Sequence, residues 1–71
     1  MSGREAVRAF EKAGWYVDRR AKSRHIIMKK PAMKTTLSIP EHKVLDKGLL
    51  RALIRDAYMS VAEFNELLGK K

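Results

Sequence analysis

His25 stands at the centre of the most strongly charged stretch of the chain. Arg19, Arg20, Lys22, Arg24, Lys29, Lys30 and Lys34 all lie within residues 19–34, and no acidic residue interrupts them. Histidine is the side chain whose ordinary pKa lets it give and take a proton near neutrality. With RNA as substrate that chemistry needs few helpers, because a 2′-hydroxyl can attack the adjacent phosphate. One proton acceptor or donor is then sufficient, together with cations that stabilise the developing oxyanion charge, and no metal is demanded. On composition alone the commoner role is the plainer one, an ordinary strand histidine with a satisfied hydrogen bond. His42 lies just after Pro40, where a polar side chain often satisfies helix-start donors or meets water, and is assigned a structural role.

Other chemistries have less support. There is no cysteine, which excludes disulfides, thiol nucleophiles and cysteine-ligated zinc, and two histidines make a histidine-based structural metal site a poor fit. Neither a glycine-rich phosphate loop nor an HExxH motif is present. Carboxylates for two-metal nuclease chemistry would have to come from Asp18, Asp46 and Asp56, which belong to separate elements and form no motif. Trp15, Tyr16 and Tyr58 could stack on bases, but in a domain this small they serve equally as core or rim packing. No cofactor and no metal are expected.

The seven cations of residues 19–34 account for most of the formal net charge of +8; the other nine basic residues face eight acids and leave only +1. Such a local excess is a candidate phosphate-binding face, drawing polyanions through counterion release and steering. The predicted RNA-binding set is Arg19, Arg20, Lys22, Arg24, Lys29 and Lys30. A chain of 71 residues is of single-domain size, so one domain over 1–71 is expected, with a shallow and sparse site. No apolar run approaches the roughly 20 residues of a membrane helix, and Met1 to Glu11 mixes charge and apolar residues too evenly for a signal peptide. The expected location is the cytoplasm, without a membrane partner.

The elements that would position His25 follow from periodicity. Ser2 and Glu5 have capping-box spacing, and Ala6, Val7, Phe10 and Ala13 make a helical stripe over 3–13, ended by Gly14. Trp15 to Arg20 turns aromatic and β-branched, which places Trp15, Val17 and Arg19 on one side of a strand and Tyr16, Asp18 and Arg20 on the other. A polar turn over 21–24 leads to a second strand over 25–30 with Ile26, Ile27 and Met28 at its heart. A further turn over 31–34 precedes a third strand over 35–39 that stops at Pro40, which lacks a ladder donor. Leu49, Leu50, Leu53, Ile54 and Ala57 recur at the helical period between Lys47 and Tyr58. Ser60 and Glu63 repeat the capping spacing and open a short last helix carrying Val61, Phe64, Leu67 and Leu68; residues 69–71 are expected to fray. The fold class is α+β, in the order α-β-β-β-α with an extra C-terminal helix, helices covering one face of a three-stranded antiparallel sheet. Leu50, Leu53, Ile54, Phe64 and Val17 are the expected core.

This order meets specific words in the sequence. An N-terminal helix runs into EKAGWYVDRR, followed by HIIMKKP and by IPEHKVLDKGLLRALIRDAYMSVAEF. The whole resembles the HicA family of toxin–antitoxin mRNA interferases, over nearly the entire chain. In that family the catalytic histidine follows a Gly-Ser pair and precedes an apolar triplet and a basic-Pro turn. The matching residue is His25, followed by Ile26, Ile27, Met28, Lys29, Lys30 and Pro31. Ser23 and Arg24 stand where the family has Gly and Ser, so Arg24 either narrows access for the RNA backbone or adds a phosphate contact. The resemblance implies a fold like the double-stranded-RNA-binding domain, metal-independent cleavage of mRNA with His25 as general acid or base, and a HicB-type antitoxin covering the catalytic surface. Two alternatives stay open: a non-catalytic RNA-binding module, and a subunit whose basic face docks an acidic protein.

Overall fold

In the computed structural model, which describes residues 1–21 and 24–69, the chain forms α1 (Gly3–Lys12), β1 (Tyr16–Ala21), β2 (His25–Lys29), β3 (Leu37–Pro40), α2 (Lys47–Asp56) and α3 (Val61–Leu67). Each predicted element is present, with ends shifted by one or two residues. Lys22 and Ser23 of the predicted turn lie outside the described residues, as do the last two lysines.

Local chemistry sets the helix ends. Ser2 and Ser60 each accept from the backbone of the glutamate three residues on, and Glu5 and Glu63 accept in return from the cap N–H. Both capping boxes therefore form, each satisfying two otherwise unpaired donors. At the other end of α1, Gly14 adopts φ +100°, its N–H donates to Glu11 O at 3.0 Å, and the Trp15 N–H donates to Phe10 O at 3.0 Å. That pair of bonds is a Schellman closure. The same closure ends α2, where Tyr58 donates to Arg55 O and Met59 to Ile54 O. Here Tyr58, at φ +59°, occupies the left-handed position that glycine usually takes.

The sheet is an antiparallel meander in the order β1-β2-β3. Along β2 the buried residues are Ile26 and Met28, while His25, Ile27 and Lys29 are only half-buried. Alternation therefore turns Ile26 and Met28 towards the helices and places His25, Ile27 and Lys29 on the opposite face. Ile39 and Leu37 pair with Ile26 and Met28 and are likewise buried. Phe10 of α1 and Phe64 of α3 meet with ring centroids 5.0 Å apart at a 49° tilt, within the distance range of favourable aromatic pairs. Trp15, Leu45, Leu53, Ile54 and Ala57 complete this core.

One expectation about β1 is corrected. The register slips between Val17 and Arg19, which pair with the consecutive residues Met28 and Ile27, so Asp18 is the extra residue of a β-bulge. The strict alternation predicted for residues 15–20 breaks there. Tyr16, Arg19 and Ala21 stand beside Lys29, Ile27 and His25 on the helix-free face, whereas Val17 and Arg20 stand beside Met28 and Ile26. Val17 does face the helix layer, yet it is 41% exposed because β1 is an edge strand that α1 does not fully cover. Leu50 is half-buried at the margin of the core, while Leu53, Ile54 and Phe64 are buried as expected.

Candidate functional site

His25 opens β2 in the terminal row of the sheet, flanked by Ala21 on β1 and Pro40 on β3. The backbone behind it is tied across the sheet end, since the Glu41 N–H donates to Arg24 O at 2.9 Å. Arg24 itself sits at φ +59°. On the helix-free face, Arg19 is the β1 neighbour of Ile27, so it stands diagonally from His25, roughly 7–8 Å away by ordinary sheet geometry. Lys29 lies two pleats further along the same face. Asp18, the bulge residue, stands between these two cations, 3.4 Å from Arg19 Nη1 and 3.8 Å from Lys29 Nζ.

The five described cations of the predicted RNA-binding set are spread over more than one face. Arg19 and Lys29 share the open face of the sheet with His25. Arg20 and Arg24 instead line a cavity of about 510 Å³ at the His25 end of the sheet, on the side of α1, together with Arg4, Glu41, His42 and Lys43. Lys30 is at the far end, close against Gly14 and beside Met33 and Tyr58. Lys22 lies outside the described residues. Neighbouring acids also temper the excess of charge: besides Asp18, Glu41 accepts a 2.8 Å bond from Arg20 Nη1, and its side chain is only 11% exposed.

Trp15, at 2% exposure, belongs to the core and offers no stacking surface, whereas Tyr16 and Tyr58 are exposed. Among the described residues no group of three or more His, Asp and Glu side chains is placed to hold a metal ion, and no helix is long and apolar enough to cross a membrane.

A family model described as the HicA toxin of bacterial toxin–antitoxin systems matches residues 3–59. The chain belongs to the HicA toxin family. Neither a curated protein nor a solved structure matches it. Membership makes it the toxin component of a toxin–antitoxin pair. The span matched to HicA runs from the start of α1 through α2, so it contains the whole sheet and His25. α3 lies beyond it, yet supplies Phe64 to the core. Sequence reasoning did not connect Arg4, His42 and Lys43 to this HicA site. Arg4 is distant in sequence from His42 and Lys43, and the start of α1 is fastened to the segment after β3 by two backbone bonds, Gly3 N–H to His42 O at 2.9 Å and Leu45 N–H to Met1 O at 2.7 Å.

Proposed function

We propose that this HicA toxin is a metal-independent endoribonuclease that cleaves mRNA, with His25 as its proton-transfer group. The observation that carries the reading is the position of His25: half-buried on the helix-free face of the sheet, diagonal to Arg19 and next in chain to Arg24. A strand laid over this face would bring a phosphodiester to His25 beside Arg19, with Arg24 adjoining at the end of the sheet. The 2′-oxygen then attacks phosphorus, a P–O bond forms as the bond to the 5′-oxygen breaks, and negative charge grows on the non-bridging oxygens. His25 takes the 2′-hydroxyl proton or supplies one to the leaving 5′-oxygen, with solvent water carrying the other proton, while Arg19 and Arg24 stabilise the added charge. In this reading the partners are mRNA and a HicB-type antitoxin that covers the open face, and the place of action is the cytoplasm.

A non-catalytic RNA-binding module would use the same cations and leave His25 an ordinary strand histidine. Incubating the purified protein with RNA separates the two. The proposed chemistry leaves 2′,3′-cyclic phosphate or the 3′-phosphate formed by its hydrolysis, with a 5′-hydroxyl on the other fragment. Intact RNA, or products bearing 5′-phosphate, would refute it.

A further inference from the structure

The cavity at the His25 end of the sheet plays no part in proton transfer, yet it gathers charge from four separate places in the chain. Arg4 comes from the first turn of α1, Arg20 from β1, Arg24 from the residue before β2, and Lys43 from the link between β3 and α2. Exposed cations repel one another, and nothing in the packing of the core requires them here. Arg4 is even disfavoured where it stands, because a cation in the first turn opposes the positive end of the helix dipole. The only carboxylate in the lining, Glu41, is engaged by Arg20. That bond uses one of the five guanidinium donors and leaves the others for a ligand. His42 adds a further donor at the rim. Arg4 and Arg20 also line a second hollow, of about 200 Å³, between α1 and β1, where Arg8 joins them along with one acid, Glu11. The positive track thus continues beyond the cavity.

We propose that this cavity is a second phosphate subsite, holding a phosphate of the RNA strand that flanks the phosphodiester at His25. The inference rests on the RNA-cleavage reading and extends it. The strand passes round the end of the sheet, with one phosphate against His25, Arg19 and Arg24 and a neighbouring one in the pocket of Arg4, Arg20 and Lys43. Arg24 lines the cavity and is next in chain to His25, so it stands at the boundary between the two. The cavity accommodates a phosphate with its water, and the guanidinium forks suit its oxygens. Arg4 and Lys43 hold the flanking phosphate only, so they contribute to binding and not to proton transfer.

The test compares wild type with an Arg4→Gln/Lys43→Gln variant, both positions being exposed and outside the core. Binding of a short single-stranded RNA is measured across a range of salt, alongside cleavage. The variant is expected to bind about tenfold more weakly at low salt and to show a log–log salt slope shallower by about 0.7, the contribution of one single-strand phosphate. KM rises and kcat stays, and Arg4→Lys/Lys43→Arg restores binding. A Lys12→Gln/Lys47→Gln control leaves the slope unchanged. Inorganic phosphate titrated into wild type shifts the amide resonances of Ser2, Arg4, His42 and Lys43, and the variant loses those shifts. The amide spectrum also reports whether each variant is folded. If wild type and variant bind and cut RNA alike, the subsite is refuted while the cleavage reading stands. Failure of wild type to show phosphate-dependent shifts refutes the subsite whatever the RNA does. RNA neither bound nor cut by wild type overturns both readings.

Discussion

The backbone N–H of Glu41 donates to the carbonyl of Arg24 at 2.9 Å, so the residue ahead of His25 is fixed to the residue after Pro40. Arg24 is held by this bond in the left-handed region, at φ +59°. A side chain there costs about 1–2 kcal/mol relative to the right-handed form, part of which glycine would recover despite its greater freedom in the unfolded chain. Arg24→Gly is therefore expected to raise the melting temperature by roughly 2–8 °C, at 4–8 °C per kcal/mol for a domain of this size. RNA affinity falls at the same time, because a phosphate contact is lost. A lower melting temperature would show that the Arg24 side chain stabilises the turn by more than its conformation costs.

The division of the basic stretch makes the salt response position-dependent. Arg19 and Lys29 share a face with His25, whereas Lys30 lies at the opposite end of the sheet beside Gly14. Arg19→Gln/Lys29→Gln is expected to make the log–log salt slope of RNA binding shallower by about 1.4. Lys30→Gln leaves it nearly unchanged. Filter binding at several salt concentrations checks this, and equal effects of all three cations would point to diffuse attraction by net charge.

Among the described residues, the cations of the 19–34 run are divided between the two sides and the two ends of the sheet for a physical reason. Adjacent strand residues such as Arg19 and Arg20 point to opposite sides of a sheet, so a charge run in sequence is divided in space. The bulge at Asp18 then decides which member goes where, and neither glycine nor proline marks it. By contrast, the capping boxes at Ser2 and Ser60 and the left-handed Gly14 were legible, because each depends on residues within one helical turn. His25 at the start of β2 was legible from the apolar run behind it. Arg4 and Lys43 were not. Each has an acid beside or near it in sequence, Glu5 and Glu41, which hides it in a local charge count, and only the folded backbone, through the Gly3–His42 and Leu45–Met1 bonds, brings them together.

Core and edge positions are expected to respond differently to truncation. Leu53 is 5% exposed and Val17 is 41% exposed. Leu53→Ala is expected to cost about 2–5 kcal/mol, and Val17→Ala no more than about 0.5 kcal/mol. Denaturant melts of the two variants measure the contrast, and comparable losses would mean that α1 covers β1 more closely than its exposure indicates.

Gly3 has no room for a side chain, since a Cβ there would collide with the Pro40 carbonyl. Relieving that contact means moving α1 away from β3, and overpacking of this kind costs about 1–3 kcal/mol. Gly3→Ala is thus expected to lower the melting temperature although alanine is the better helix former. It also loosens the bond to His42 O and widens the basic cavity. A rise in melting temperature would show that helix propensity outweighs the contact.

His25→Ala tests whether binding and chemistry separate. Affinity rests on cations distributed over the open face and the cavity, so RNA binding is expected to remain within a few-fold of wild type. Cleavage is expected to fall by about 10²–10⁴, the usual worth of one proton-transfer group, and growth inhibition on expression disappears with it. In the proposed mechanism the attacking group is the RNA's own 2′-hydroxyl, so EDTA is expected to leave the wild-type rate unchanged. The substitution removes a half-buried side chain from the terminal row of the sheet, so a thermal melt of the variant distinguishes lost chemistry from lost fold. A folded His25→Ala protein that cut RNA at the wild-type rate would exclude the histidine mechanism. Loss of wild-type activity in EDTA would instead turn attention to Asp18, the carboxylate on the bulge between Arg19 and Lys29, as a metal-binding group.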